Sequence, residues 1–103
     1  MRLERLESIR RSTRAGKKYA ATVRDKRTSA TRVLHFGASD YEQFKDRTSV
    51  GAFSHKDHGD RVRQRNYYTR HSGTPSRTEA IRLEWKRSGG RYTPKLLSHI
   101  YLW

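Results

Sequence analysis

The stretch Lys17–Phe36, KKYAATVRDKRTSATRVLHF, decides the fold. Within Lys17–Val23, Tyr19, Ala21 and Val23 recur at every second position, which places them on one face of a strand. Thr31–Phe36, with Val33, Leu34 and Phe36, reads as a second strand. Between them Arg24-Asp25-Lys26-Arg27-Thr28-Ser29 is polar and turn-compatible, so the pair forms a β-hairpin with a longer loop. A lone hairpin is marginal in water, so another part of the chain must pack on one of its faces.

The second half supplies that material as helices. Asp57–His71 is a basic helix carrying Arg61, Arg63, Arg65 and Arg70, with Asp57 or Asp60 as N-cap and Gly73 just past its end. Ser76-Arg77-Thr78-Glu79 fits a capping box, followed by Ile81 and Trp85 four apart with Ala80 and Leu83 alongside. Gly89-Gly90 stops that helix. Thr93-Pro94 opens another, with Leu96, Leu97, Ile100 and Tyr101 as its apolar stripe. Tyr41–Phe53 shows no period and reads as loop with one helical turn. Upstream, Leu3, Leu6 and Ile9 lie three apart among charges, consistent with a short helix, with a strand or extended arm as the alternative. The expected fold is α+β: one small basic domain, with an arm or short helix at 1–14, a β-hairpin at 15–37, and about three short helices in 55–103 covering one sheet face.

Composition argues against an autonomous fold. Seventeen Arg and seven Lys oppose ten acids, a formal charge of +14. Leu, Ile, Val and Phe number 17 in 103 residues, below the ~20 % that separates folded from disordered chains of high charge. Six Tyr, three Phe and two Trp must carry the core, each burying ~150–250 Å². The charge is even: residues 1–51 hold thirteen basic and six acidic groups, residues 52–103 eleven and four. There is no separate basic tail of the kind that binds nucleic acid. A chain this charged repels itself and its ends fray, so a partner is expected to neutralise charge and hold both ends. The absence of cysteine excludes disulfides and thiolate metal sites. Residues 1–14 lack the apolar run of a signal peptide, and no segment approaches the ~18–20 apolar residues of a membrane span.

No residue pattern points to catalysis. His55-Lys56-Asp57 invites comparison with the phospholipase D signature, but that signature separates its His, Lys and Asp, whereas these are contiguous. The three read as a tight turn into a helix, with Asp57 capping and His55 hydrogen-bonded to the hairpin. His55 and His58 are close enough to share a metal, yet a structural zinc needs four ligands, and the five histidines read as packing residues. Gly89-Gly90 lacks the spacing of a phosphate loop. The expectation is no enzyme, no metal and no cofactor. The Arg61, Arg63, Arg65, Tyr67, Tyr68 and Arg70 cluster supports two readings. Arginines on phosphates and tyrosines under bases would bind nucleic acid. Alternatively, the tyrosines are core and the arginines meet carboxylates of neighbouring proteins, with Trp85, Tyr101 and Trp103 as aromatic anchors.

Ser12–Tyr19, His35-Phe36-Gly37-Ala38-Ser39-Asp40-Tyr41, His55-Lys56-Asp57 and the set Arg61, Arg65, Tyr67, Tyr68, Arg70, His71 occur in an order that resembles a small basic protein family of the nucleocytoplasmic large DNA viruses. Thr93–Trp103 resembles that family's C-terminal segment, with Leu97 and Ile100 where tryptophans are expected, and the segment Gln43–Gly51 is longer than in the family. The family carries no assigned active site. The resemblance implies a virion protein. The resulting expectation is a minor capsid (cement) protein on the inner side of a large icosahedral shell, present in host cytoplasm during assembly. Its expected partners are acidic surfaces of other capsid proteins, with nucleic acid as the second class and the inner membrane as a further contact.

Overall fold

The structure, a computed structural model, describes residues 2–103 and is an α+β fold. Strands β1 (Glu4–Arg11), β2 (Lys17–Asp25) and β3 (Thr31–Ala38) form an antiparallel sheet in sequence order, with β2 central. A 3-10 turn, Ser54–Lys56, then leads to helices α1 (Arg61–Ser72), α2 (Arg77–Arg87) and α3 (Pro94–Tyr101). The hairpin of residues 17–36 is present with Tyr19 opposite Phe36 and Ala21 opposite Leu34. Its turn is closed by Asp25, whose Oδ1 accepts from the backbone N–H of Arg27 and Thr28 at 2.8 and 2.9 Å.

Of the two readings of the N-terminal segment, short helix or strand, the strand is the one present. Leu6 pairs with Val23 and Ile9 with Ala21, so two residues three apart face two residues two apart. The register shift between Leu6 and Ser8 is a β-bulge that absorbs the extra residue and keeps both side chains toward the core. A bulged strand thus mimics helical spacing. The edge offered by β2 provides hydrogen bonds that a short isolated helix lacks.

Tyr19, Ala21 and Phe36 on the sheet pack against Leu97 and Leu102 from α3 and its end, ringed by Leu6, Ile9, Leu34, Phe53, Tyr92 and Tyr101. Helix α3 lies on the sheet, and α1 and α2 pack outside it, so the helices stack in depth rather than side by side on the sheet. A second cluster, Tyr67, Tyr68 and Ala80, joins α1 to α2, and Trp103 packs against both clusters. Close approach of sheet and helix has a local requirement at Gly37. Its φ is +80°, and a Cβ there would come within 2.8 Å of Leu102 Cδ1.

The helix ends follow the sequence, and of the two capping candidates for α1 one is used. Asp60, not Asp57, caps α1, accepting from Val62 N and Arg63 N, and Gly73 closes it at φ 72°. Ser76 caps α2 by accepting from Glu79 N, and Thr93 caps α3 ahead of Pro94.

Near both ends of the described residues the chain makes contacts with itself. Leu3 N donates to Gly90 O and Lys26 N to Leu3 O. At the other end Gln64 Nε2 donates to Trp103 O at 2.6 Å, and the Trp103 ring lies parallel to Tyr67 at 4.3 Å. The radius of gyration, 13.6 Å, is close to the ~13 Å of a compact chain of this length. Aromatic burial and paired polar groups therefore compensate for the shortage of aliphatics.

Glu4 is one such group, 3 % exposed on the core-facing side of β1. Arg32 of β3 grips it bidentately at 2.7 and 2.9 Å, and Tyr92 N donates to it at 2.8 Å. The Arg32 hydrogen bonds hold its carboxyl below the usual carboxylate range, ahead of the opposing effect of burial. Three segments distant in sequence thus meet on one carboxylate. Glu4→Ala should lower unfolding free energy by about 1–3 kcal/mol, partial exposure of Arg32 limiting the loss. Glu7→Ala, at an exposed carboxylate, should leave the urea midpoint unchanged, and equal midpoints for the two variants would remove Glu4 from this role.

Candidate functional site

The loop between β3 and the 3-10 turn has no regular structure, yet it carries the densest polar arrangement in the protein. The Tyr19 hydroxyl donates to Asp46 Oδ2, which also accepts from Phe53 N at 3.2 Å. Asp46 Oδ1 accepts from Thr48 N and Thr48 Oγ1 at 2.9 and 2.6 Å. Burial pushes the Asp46 carboxyl up, but its hydrogen bonds from Thr48, Tyr19 and Phe53 prevail and hold it below its ordinary value. Asp57 Oδ1 accepts from Asp46 N at 2.8 Å and Gln43 Nε2 at 2.6 Å. Asp57 thus clamps the loop rather than capping α1, and His55 stacks on Phe53 instead of bonding the hairpin. From the same loop Lys45 N and Arg47 N donate to Leu102 O and Tyr101 O, satisfying carbonyls that the end of α3 leaves open.

Lys18 completes this node. It is 2 % exposed, and its Nζ donates to Tyr41 O at 2.7 Å and to Gln43 Oε1. Burial, reinforced by the charge of Lys56, lowers its pKa to about 8, while Asp46 and Asp57 act on it only at longer range. The arrangement places an ammonium where carbonyl oxygens, not a carboxylate, satisfy it. Gln43 is fully buried and bridges Lys18 to Asp57.

A second cluster surrounds His99, which is fully buried. Its Nδ1 hydrogen-bonds the Tyr67 hydroxyl at 2.8 Å, its Nε2 the Ser72 hydroxyl at 3.1 Å, and its carbonyl accepts from Tyr68 OH at 2.9 Å. Burial, aided by Lys95, His71 and Arg77, lowers the imidazole pKa to about 4, so it is neutral at physiological pH. Ser72, His99 and Tyr67 form a hydrogen-bonded chain that superficially resembles a nucleophile with its base. A base this weak gains little as a proton acceptor near pH 7, and Tyr67 and Tyr68 are core residues. The chain holds α1 onto α3.

The sequence-derived binding residues separate accordingly. Tyr67 is 7 % exposed and Tyr68 0 %, so neither offers a face to a partner; this corrects their place among the surface candidates. Arg61, Arg63, Arg65 and Arg70 are exposed but diverge. Helical geometry puts Arg61 and Arg65 on one flank of α1 and Arg63 and Arg70 on the other, with Val62, Asn66 and Thr69 between them. Arg61 lies 4.8 Å from the Phe44 ring centroid and Arg63 pairs with Glu42 at 2.9 Å. Tyr101 is half-buried against Phe36, and Trp103 is half-buried against Tyr67 and His58. Trp85 is half-buried with Tyr92 at its edge and the Arg2 guanidinium 4.6 Å from its ring centroid. On α2 the buried positions are Ala80 and Glu84, so Ile81 and Trp85 turn toward an open groove. Among the described residues no three His, Cys, Asp or Glu gather as metal ligands, and no helix is long and apolar enough to cross a membrane.

A family of unknown function (DUF5754) matches residues 7–47. That stretch takes in Lys18, Tyr19, Gln43 and Asp46 but stops before Phe53 and Asp57. No curated protein and no solved structure matches the chain. Gln43 and Asp46 escape sequence reasoning because the loop has no periodicity, and Lys18 because it is a charged residue on the strand face opposite Tyr19, Ala21 and Val23. The available signal is the pair Phe44 and Phe53, whose rings must be buried and draw their polar neighbours in with them.

Asp46→Ala strands the Tyr19, Thr48 and Phe53 donors, and should cost about 3 kcal/mol or more in urea denaturation. Asp46→Asn, which keeps one acceptor oxygen, should cost less. For His99, the folded pKa lies below the ordinary 6.5, so between about pH 6.5 and 4 the unfolded chain binds a proton that the folded chain does not. Stability should therefore fall as the pH is lowered through that window, by roughly 3 kcal/mol from this residue. His99→Gln should be less stable at pH 7 but show a flatter acid limb. Parallel limbs for variant and wild type would refute the assignment.

Proposed function

We propose that this chain is a virion structural protein, a minor capsid (cement) protein of a large icosahedral double-stranded DNA virus, bridging larger capsid subunits from the inner side of the shell. One observation carries the bridging part. Among the described residues only seven of the 24 Lys and Arg, namely Arg5, Arg24, Arg32, Arg63, Arg82, Arg87 and Arg91, lie within 4.0 Å of a carboxylate. Most of the remaining cations are exposed, with Lys18 buried and Arg47, Lys56, Arg77 and Lys95 partly so. Such a surface suits several acidic neighbours at once, because guanidinium groups pair bidentately with carboxylates. The viral setting rests on the family resemblance of the quoted segments.

The divergence of the α1 arginines favours protein over nucleic acid. A helix that lies along a duplex needs its cations on one face, and single-strand binding needs exposed rings. Here the arginines split to two flanks and Tyr67 and Tyr68 are buried. The nucleic-acid reading keeps one supporting feature, the charge of +14, which attracts any polyanion.

Particle assembly separates the two. A variant with Arg61, Arg63, Arg65 and Arg70 all changed to Gln, first checked for an unchanged melting transition, should fail to enter shells even when these form without genome. Normal entry into empty shells, combined with defective genome packaging, would replace the capsid reading with the nucleic-acid one.

A further inference from the structure

Two adjoining grooves share Arg2 and Leu3, on the side of the molecule where the start of the chain crosses α2. The larger, about 760 Å³, has Leu3, Ile81 and Trp85 as its apolar lining and Arg2, Arg82 and Lys86 as its charged lining. No acidic residue lines it. The smaller, about 360 Å³, runs past Lys26 and Arg27. Its one acid, Asp25, is already committed to the N–H groups of Arg27 and Thr28 and to Arg91. Arg82 is paired with Glu79, whereas Arg2, Lys26, Arg27 and Lys86 have no carboxylate within 4.0 Å among the described residues. An apolar floor that ends in unpaired cations on both sides specifies its ligand by charge as well as by shape.

We infer that this double groove docks an acidic segment of a partner protein, with one aromatic or aliphatic side chain seated against Trp85, Ile81 and Leu3 and flanking carboxylates on Arg2, Lys86, Lys26 and Arg27. The inference deepens the bridging function and rests on it. Trp85 exchanges the role expected from sequence: it forms the wall of a pocket rather than an anchor inserted into a neighbour's. The Arg2 guanidinium, 4.6 Å from the Trp85 ring centroid, sets a cation directly beside the apolar lining. The backbone beneath is fixed, since Leu3 N is bonded to Gly90 O at 2.8 Å and Lys26 N to Leu3 O at 2.9 Å. A groove built on a tethered strand and a helix is pre-organised, so an arriving segment bears most of the ordering cost.

The test uses the full chain and three labelled probes read by anisotropy at fixed salt: an acidic peptide with a central Phe, the same peptide with Ala in place of that Phe, and a single-stranded oligonucleotide of equal charge. The Phe peptide should bind most tightly, and it should change Trp fluorescence in wild type but not in Trp103-only protein made by Trp85→Phe. The double variant Arg2→Glu, Lys86→Glu, which alters exposed side chains alone, should bind the Phe peptide at least about tenfold more weakly. Equal binding of the Phe and Ala peptides, tighter binding of the oligonucleotide, or an unaffected double variant would each overturn the proposal. Failure here is distinguishable from failure of the bridging function. The α1 arginine variant tests incorporation into shells without touching the groove, and its exclusion from shells would leave bridging intact even if the groove proved silent.

Discussion

The Tyr19 hydroxyl bonded to Asp46 is the constraint on which the rest of the structure depends. Tyr19 is fully buried on the middle strand, and its polar tip would be left unsatisfied in the core without an acceptor. Asp46 provides that acceptor and, through Thr48 and Phe53, fixes the course of a loop with no helix or strand of its own. The loop in turn bonds the carbonyls of Tyr101 and Leu102, which places the end of α3 over the sheet. Sheet, loop and helix are thereby linked through one carboxylate.

Such a design follows from the composition. With 17 residues of Leu, Ile, Val and Phe, the core is closed by Tyr, Trp and His, each bringing a polar atom inside. Most such atoms find a partner, often with the help of residues usually found outside, Glu4, Lys18, Gln43, Asp46 and His99, while Trp85 Nε1 and His58 Nε2 are buried without one. Polar pairing is directional where aliphatic packing is not, so a core of this kind selects one arrangement of its segments even though it gains less from burial. The ordered ends have the same origin. Leu3 and Trp103 are held by hydrogen bonds and ring contacts within the chain.

Because few of its cations pair with its own carboxylates, much of the excess charge is available for other molecules. The proposed cement role uses that surplus on several faces. The groove beside Trp85 adds a site where shape and charge coincide. Long-range attraction between a cationic body and acidic subunits speeds encounter and orients it, while desolvated aromatic contact supplies the lifetime of the complex. The split of the α1 arginines to opposite flanks fits contact with two neighbours better than contact with one rod of phosphates.

The sequence determined the local elements. Alternation in Lys17–Val23 and Thr31–Phe36 specified the hairpin, and Asp60, Gly73, Ser76, Thr93 and Pro94 marked helix ends, because caps and periods act over a few residues. It also made Tyr67 and Tyr68 plausible as core, and it identified Trp85 as a residue of interest without its role. What only the tertiary structure decided lies at long sequence separation. The third strand needed the edge of β2 and a bulge that hides its period. The meeting of Lys18 with Gln43, Tyr19 with Asp46, Glu4 with Arg32 and Tyr67 with His99 depends on how loops return through space, and neither composition nor periodicity encodes that path. The same holds for the groove, which exists because the bonds of Leu3 to Gly90 and Lys26 lay the start of the chain beside α2.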